Sequence, residues 1–150
     1  MKKQGTLEIN VEKFRYLRHT ADAKFKAFGR SLEEAFCHAA LATASLMWDC
    51  DLIEPNIKHS VFVSGKDEEQ LLLNFLEEIL FLLDSQMFLM KKANGIRIEN
   101  RNGRLILDAL LIGDTCSDRY QTYGEVKAIT YNEMKIVRDS FVEVQVVVDM

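Results

Sequence analysis

The sequence predicts an α+β fold in which two main helices pack on one face of a mixed, mostly antiparallel sheet. Two amphipathic helical segments with capping signals are each flanked by strands, and the last third of the chain is rich in strands with hairpin signals. The chain lacks the regular strand–helix alternation of a parallel α/β protein. Its 150 residues are the length of about one domain. We therefore expect a single domain over residues 1–150, with residues 1–12 forming a loose arm or a short edge strand.

The first half of the chain contains a strand, a helix and a second strand. Apolar residues and lysines alternate over 23–28, which is the period of a half-buried strand. Ser31 and Glu34 have the spacing of a capping box, so a helix is expected from Ser31 to about Trp48. After that helix, residues 57–65 alternate again and predict the second strand.

A second helix is predicted to begin at Asp67, with Gln70 at the position that completes the cap. From Leu72 to Leu83 the apolar residues recur at helical spacing, which indicates a strongly amphipathic helix. The pattern of residues 86–90 is compatible with a helix extension and with another strand, and it leaves both open.

The last third of the chain predicts two hairpins. The strands 95–100 and 104–113 flank Asn102-Gly103, a dipeptide that favours the positive backbone dihedrals of a tight turn. Residues 126–137 and 141–150 then pair across a short connection. This arrangement is typical of an antiparallel sheet.

Composition excludes a strong attraction to nucleic acid. The chain has 19 Lys and Arg against 23 Asp and Glu, a net charge of −4 and a pI of about 5.4. No overall basic field is available to neutralise phosphates. We expect no direct, sequence-specific nucleic-acid binding, so any association with RNA is expected to go through another protein.

The sequence also indicates a cytoplasmic protein. The three cysteines, Cys37, Cys50 and Cys116, form no CxxC pair, and their odd number suits reduced thiols. The N-terminal segment has no apolar core of a secretory signal, and no apolar run approaches the ~20 residues that span a membrane. We expect no membrane association.

Two separate segments carry candidate ligands for a hard cation. His19 and Asp22 come just before the first clear strand, where a carboxylate can lie at the end of a sheet. Asp149 and Met150 end the final valine-rich strand, where the Asp149 side chain and the terminal carboxylate can supply oxygen ligands. The spacing equally allows Asp22 to cap a turn, His19 to be a partly buried structural residue and Asp149 to lie in a solvated tail.

The remaining candidates give weaker signals. Lys127 lies near the start of the predicted strand 126–137, and an extended strand places Lys127 and Thr130 on opposite faces. His38 is expected on the helix surface, and His59 has no partner at zinc-ligand spacing. The sequence contains no phosphate-binding loop, dinucleotide fingerprint, nucleophile elbow or HExxH motif.

Several segments together resemble the archease family. They are YLRHTADAKFKAFG at 16–29, SLEEAF at 31–36, GKDEEQLLLNFLEEILFLLD at 65–84, GEVKAITYNEM at 124–134 and the final VQVVVDM. The similarity spans most of the chain from Tyr16 and keeps the order of elements. Two positions depart from the family pattern, which usually has an acidic residue at Arg18 and often a histidine at Asn132.

The resemblance implies a fold, a partner and a site. Archeases are small α+β proteins without catalytic activity of their own that assist the RtcB-type RNA ligase in tRNA splicing and RNA repair, promoting guanylylation of the ligase and multiple turnover. It implies a divalent cation, calcium or alternatively magnesium or manganese, held by Asp22, Asp149 and the main-chain oxygen of Met150. Lys127 and His19 are implied as further functional residues beside that site.

Two other classes of function stay open at the level of sequence. One is a general chaperone or a partner protein in RNA modification. The other is a metal-dependent hydrolase in which a cation held by Asp22 and Asp149 activates water, although no residue is placed by the sequence as its general base.

Overall fold

The computed structural model describes residues 12–17 and 22–150. Most of the predicted N-terminal arm therefore lies outside the described residues. The elements in chain order are β1 (Phe14–Leu17), β2 (Ala23–Gly29), α1 (Leu32–Ser45), a short 3-10 turn (Cys50–Leu52), β3 (Ile57–Gly65), α2 (Glu68–Gln86), β4 (Phe88–Arg101), β5 (Arg104–Thr115), β6 (Ala128–Arg138) and β7 (Val142–Asp149).

The predicted α+β class with two main helices is confirmed. The strands form two sheets rather than one, with the orders β1-β2-β7-β6 and β3-β5-β4. All pairings within these two sheets are antiparallel. Helix α1 packs against β2 and β4, and α2 packs against β3 and β6, so each helix contacts both sheets. The apolar faces of the helices and sheets therefore share one buried core.

Helix α1 begins as the sequence predicts. The Ser31 hydroxyl accepts a hydrogen bond from the Glu34 N–H at 3.1 Å, and the Glu34 carboxylate accepts one from the Arg30 N–H at 2.6 Å. Gly29 is needed just before the helix, because a Cβ atom there would lie 2.3 Å from the Ala35 nitrogen. The helix ends at Ser45, three residues before the predicted limit at Trp48.

Helix α2 is also capped as predicted, with the Asp67 carboxylate accepting from the Gln70 N–H at 2.8 Å. It ends at Met87, which adopts a left-handed conformation with φ of 54°. The undecided segment 86–90 is therefore the helix end followed by the start of β4. Phe75 on this helix stacks on Phe36 of α1 with ring centroids 6.3 Å apart, and both rings are fully buried.

Both predicted hairpins form. Asn102 and Gly103 have φ of 55° and 83°, which are the positive values that a tight two-residue turn requires. The second hairpin joins β6 to β7, and its register shifts between Thr130 and Lys135 where β6 bulges. Within this bulge Glu133 has a φ of 57°.

Strand β1 was not predicted, because four residues, FRYL, are too few to show an alternating pattern. It forms the edge of the four-stranded sheet, and the Tyr16 hydroxyl donates to the Ala42 carbonyl oxygen at 2.8 Å. That bond satisfies a carbonyl near the end of α1 and ties the strand to the helix.

Candidate functional site

Three strand ends meet at one edge of the four-stranded sheet. Strand β7 lies between β2 and β6, with Ala23 opposite Val148 and Ala128 opposite Asp149. Continuing the β2–β7 register by one residue places Asp22 opposite Asp149. Residues in directly opposite positions have Cβ atoms about 4.5–5.5 Å apart. The fold thus makes cross-strand neighbours of two carboxylates that lie near opposite ends of the sequence.

The two carboxylates lie on the face of the sheet that is turned away from the core. Val148, the neighbour of Asp149 in β7, is fully buried, and alternation along the strand places Asp149 on the other face. Asp149 is exposed, and Asp22 is half-buried. The acidic pair is therefore accessible to an ion or a partner molecule.

Lys127 and Met150 complete this group, which we call the acidic tip (Asp22, Lys127, Asp149 and Met150). The Lys127 N–H donates to the Asp149 carbonyl oxygen at 2.7 Å, which fixes Lys127 directly beside β7. Met150 is half-buried and packs against the core. The structure therefore brings together four of the five residues that the sequence singles out.

The nearby lysines do not neutralise the acidic pair. Lys24 and Lys26 lie on the same sheet face as Asp22, but they pair with glutamates: Lys24 Nζ lies 2.8 Å from Glu133, and Lys26 Nζ lies 3.2 Å from Glu143. The bulge in β6 makes the first of these pairs possible by turning Glu133 toward β2.

The bulge is held by its own hydrogen bonds. The buried Gln145 side chain donates to the Glu133 carbonyl oxygen at 2.8 Å, and the Thr130 hydroxyl donates to the Val147 carbonyl oxygen at 2.7 Å. The Thr130 hydroxyl thus stabilises the backbone of the sheet, whereas Lys127 is held beside Asp149 through its backbone N–H.

The donor set of the acidic tip suits a hard divalent cation. Two carboxylates and a main-chain oxygen are the ligand types that calcium and magnesium prefer. No group of three or more His, Cys, Asp or Glu side chains converges anywhere in residues 12–17 and 22–150. A cation at the tip would therefore take its other ligands from main-chain oxygens, water or a partner. His19 and Arg18 lie outside the described residues.

The two other histidines have structural contacts. His38 Nδ1 lies 2.5 Å from the Phe28 carbonyl oxygen, which links α1 to β2. The His59 ring meets the Phe88 ring edge-on at 4.6 Å between centroids. Both imidazoles are therefore engaged in packing between neighbouring elements.

Sequence reasoning did not single out residues 117–123 of the loop that leads into β6. Tyr123 is fixed to the end of α1, with its N–H donating to the Met47 carbonyl at 2.9 Å and its hydroxyl to the Ser45 carbonyl at 3.0 Å. A Cβ atom on Gly124 would lie only 2.4 Å from the Leu46 carbonyl oxygen. The one signal in the sequence was Gly124 itself, since a glycine in a loop often marks a close backbone approach.

The surroundings of Tyr123 raise the pKa of its hydroxyl. Burial raises the pKa of Tyr123, and the negative charge of Asp49 raises it further.

The helices give no sign of a membrane span. None in the described part of the chain combines the length and the apolar character that crossing a bilayer requires.

Comparison with known proteins places these features in a family. The sequence model of the archease protein family (MTH1598/TM1083) matches residues 14–150. Protein archease of Methanothermobacter thermautotrophicus is 33% identical over 138 residues, covering 91% of this chain and 98% of that protein. Protein archease of Sulfurisphaera tokodaii is 36% identical over 127 residues, covering 84% and 89%.

Solved structures show the same architecture. The solution structure of Methanobacterium thermoautotrophicum protein 1598 matches with a TM-score of 0.79 and 31% identity, over 91% of this chain and 98% of that one. The crystal structure of an archease, described as a possible chaperone, from Thermotoga maritima matches with a TM-score of 0.55 and 18% identity, over 95% and 100%. The second likeness concerns the fold alone. On the family match and the identities, this chain belongs to the archease family.

Proposed function

We propose that this protein activates an RtcB-type RNA ligase in tRNA splicing or RNA repair and catalyses no reaction of its own. In this proposal it promotes guanylylation of the ligase and so allows repeated turnover. One observation carries the proposal: β2 pairs with β7 as far as Ala23 opposite Val148, so Asp22 and Asp149 follow at neighbouring strand ends, and the Lys127 N–H donates to the Asp149 carbonyl oxygen. Membership of the archease family supports the same assignment.

Each residue of the acidic tip has a role in the proposal. Asp22, Asp149 and the main-chain oxygen of Met150 would hold a divalent cation, most simply calcium, with magnesium or manganese as alternatives. When bound, the cation supplies a Lewis-acid centre with coordination positions left for water or for oxygens of the partner. The Lys127 backbone is held beside Asp149, and its ammonium group would reach an anionic group of the partner, such as a nucleotide phosphate.

The location of the tip suits action on another protein. Asp149 and Lys127 are exposed, and the sequence contains no phosphate-binding loop with which the chain could hold a nucleotide by itself. A protruding charged group can instead enter a nucleotide site formed by the ligase. The same proposal places the protein in the cytoplasm, where its three free thiols stay reduced.

Multiple-turnover RNA ligation by a purified RtcB-type ligase tests the proposal. The reaction is run with the wild-type protein, with Asp22→Asn and with Asp149→Asn, because asparagine keeps the side-chain shape and removes the charge. Asp84→Asn is the matched control, since Asp84 is an exposed carboxylate on α2. We expect the wild type and the control to support repeated turnover and both tip variants to lose it.

Guanylylation of the ligase is measured in parallel with labelled GTP. The proposal expects the tip variants to lower the labelled fraction of ligase as well as the turnover. A wild-type protein that leaves the ligase rate unchanged contradicts the proposed function. Full stimulation by both tip variants would show that the acidic tip is not needed for the proposed function.

A general chaperone is the second candidate, because the Thermotoga maritima relative is described as a possible chaperone. Exposed aromatic side chains such as Phe62 and Phe81 give this chain apolar contact points of its own. The discriminating assay is the aggregation of an unrelated heated protein. Suppression of aggregation together with an unchanged ligase rate favours the chaperone.

A further inference from the structure

A cavity of about 210 Å³ lies beside the acidic tip, between the 3-10 turn and the loop before β6. Asp49, Leu52 and Ile53 line one part of it, and Arg119, Tyr120 and Tyr123 line another. Pockets for drug-sized ligands and cofactors usually measure ~300–1,000 Å³. This cavity is smaller, and its size suits one long side chain.

Hydrogen bonds fix the aromatic walls of the cavity. The Tyr123 hydroxyl donates to the Ser45 carbonyl oxygen at 3.0 Å, and the Tyr120 hydroxyl donates to Asp114 Oδ2 at 2.5 Å. The Glu54 N–H also donates to the Tyr120 oxygen at 3.2 Å. Because both rings are held before anything binds, little conformational freedom is lost on binding.

Two large side chains at the cavity stay in contact with solvent. Leu52 is 69% exposed and Tyr123 is 60% exposed. A single exposed apolar residue is ordinary. Two of them beside one preformed cavity offer a partner protein an apolar contact surface, and tyrosine is enriched among the residues that contribute most to binding at protein interfaces.

The charges at the cavity favour a cation. The Arg119 guanidinium lies over the Tyr120 ring, 5.6 Å from its centroid. The hydrogen bond from Tyr120 lowers the pKa of Asp114, and the Arg119 charge contributes to the same effect. The Arg119 guanidinium therefore faces the Tyr120 ring.

Asp49 is the carboxylate left for a ligand. One of its oxygens accepts from the Asp51 N–H at 3.0 Å. None of the ion pairs found in the described ranges involves Asp49. Its charge is close enough to contribute to the raised pKa of Tyr123. A cation placed here meets both an aromatic ring and a carboxylate, a combination that binds guanidinium and ammonium groups.

We propose that this cavity receives an arginine or lysine side chain of a partner protein, with the aliphatic stem against Leu52 and the cation between the Tyr123 ring and Asp49. The choice of partner rests on the proposed function, which makes it the RtcB-type ligase. RNA is a poorer occupant, because phosphates need cationic neighbours. The charged residues that line this cavity are one carboxylate, Asp49, and one guanidinium, Arg119, so the lining offers no excess of positive charge to a phosphate.

The chain leads from the cavity to the acidic tip through Gly124, which lies close to Met150. Tyr123 is followed by Gly124, and a Cβ atom on Gly124 would lie 3.4 Å from Met150 Cε. Lys127, three residues further on, is fixed to Asp149. A protein that engages the tip therefore meets this cavity on the adjoining surface.

Calorimetric binding to the purified ligase tests the proposal, using the full-length protein and two cavity variants. Asp49→Asn keeps the oxygen that caps the 3-10 turn and removes the charge, and Leu52→Ala shortens a solvent-exposed side chain. Asp84→Asn and Phe81→Ala are matched controls on α2, where Phe81 is 58% exposed. Each cavity variant is expected to weaken ligase binding about tenfold, whereas the controls bind like the wild type.

Ligation turnover at saturating protein separates this proposal from the proposed function. Cavity variants are expected to need more protein for half-maximal stimulation and to reach the wild-type plateau, whereas tip variants lower the plateau. If Asp49→Asn and Leu52→Ala bind the ligase as tightly as the wild type does, the docking proposal is overturned. The proposed function is still upheld in that case if the wild type stimulates ligation. Cavity-dependent binding without stimulation upholds the docking proposal and overturns the function.

Three further outcomes also overturn the docking proposal. The first is an equal loss of affinity in Asp49→Asn and Asp84→Asn, which indicates a general effect of charge. The second is no binding of the wild type to the ligase. The third is binding of a labelled single-stranded RNA that is weakened by Leu52→Ala while ligase binding is unaffected, which assigns the cavity to RNA.

Discussion

Gly124 lies against the C-terminal end of α1 next to Tyr123, and Gly124→Ala tests that close contact. The added Cβ atom would lie 2.4 Å from the Leu46 carbonyl oxygen, about 1 Å inside the ordinary contact distance of 3.4 Å. The loop has to move by roughly that distance, and overpacking of this kind costs about 1–3 kcal/mol. Since each kcal/mol shifts the Tm of a protein of this size by about 2–4 °C, we expect a fall of ~2–12 °C.

The displacement should be visible at Lys127, because the loop carries that residue to β7. Its N–H donates to the Asp149 carbonyl oxygen at 2.7 Å. Hydrogen exchange of this amide is expected to accelerate in Gly124→Ala. The stimulation of ligation is expected to fall with it, since the acidic tip is no longer held in place.

Gly95→Ala is the matched control. Gly95 has a φ of 61° and nothing within 4 Å of an added Cβ atom, so the substitution strains the backbone without a clash. The cost of about 1–2 kcal/mol is similar, but Gly95 lies in β4, in the other sheet. We expect a lower Tm with unchanged ligase stimulation. A Gly124→Ala protein with wild-type Tm and wild-type exchange at Lys127 would refute the reasoning.

Two further predictions concern the core and the cavity wall. Phe75→Ala removes a fully buried ring that stacks on Phe36, and it is expected to lower the free energy of unfolding, measured by chemical denaturation, by about 3–5 kcal/mol. The exposed control Phe81→Ala should stay within about 0.5 kcal/mol of the wild type. Equal losses in the two variants would contradict the assignment of Phe75 to the core. Tyr120→Phe removes the main cause of the lowered pKa of Asp114, so an NMR titration should show that pKa rising toward its ordinary 3.8. Because the pKa of Asp114 is lower in the folded state, its ionised carboxylate stabilises the fold at pH values above its ordinary pKa, and this contribution is lost as the pH falls through the folded-state pKa. An unchanged titration of Asp114 in Tyr120→Phe would show that the hydrogen bond has no such effect.

The parts of the fold that depend on neighbouring residues were predictable from the sequence. The caps at Ser31 and Asp67 and the turn at Asn102-Gly103 form as expected, because each is fixed by side chains within a few residues. The end of α2 was not predictable in this way, because the residue after the helix, Met87, adopts a left-handed conformation that is usually signalled by a glycine.

The parts that depend on long-range pairing could not be predicted from periodicity. The division of the strands into two sheets follows from which hairpins become neighbours, and alternation along one strand does not encode this. The pairing of β2 with β7 brings Asp22 to Asp149 for the same reason. Both residues were singled out in the sequence as candidate cation ligands and again by the family resemblance, whereas the pairing of their strands is seen only in the folded chain. The cavity at Tyr123 gave no periodic signal, because it is formed by two irregular segments.

The central claim is that Asp22 and Asp149 together form a cation site at the sheet edge, and a calorimetric calcium titration tests it most directly. The account predicts one site per chain in the wild type and in the control Asp84→Asn, and loss of binding in both Asp22→Asn and Asp149→Asn. Magnesium and manganese are titrated in the same way to identify the preferred ion. Failure of the wild type to bind any of the three ions would contradict the claim, as would binding that survives in both tip variants.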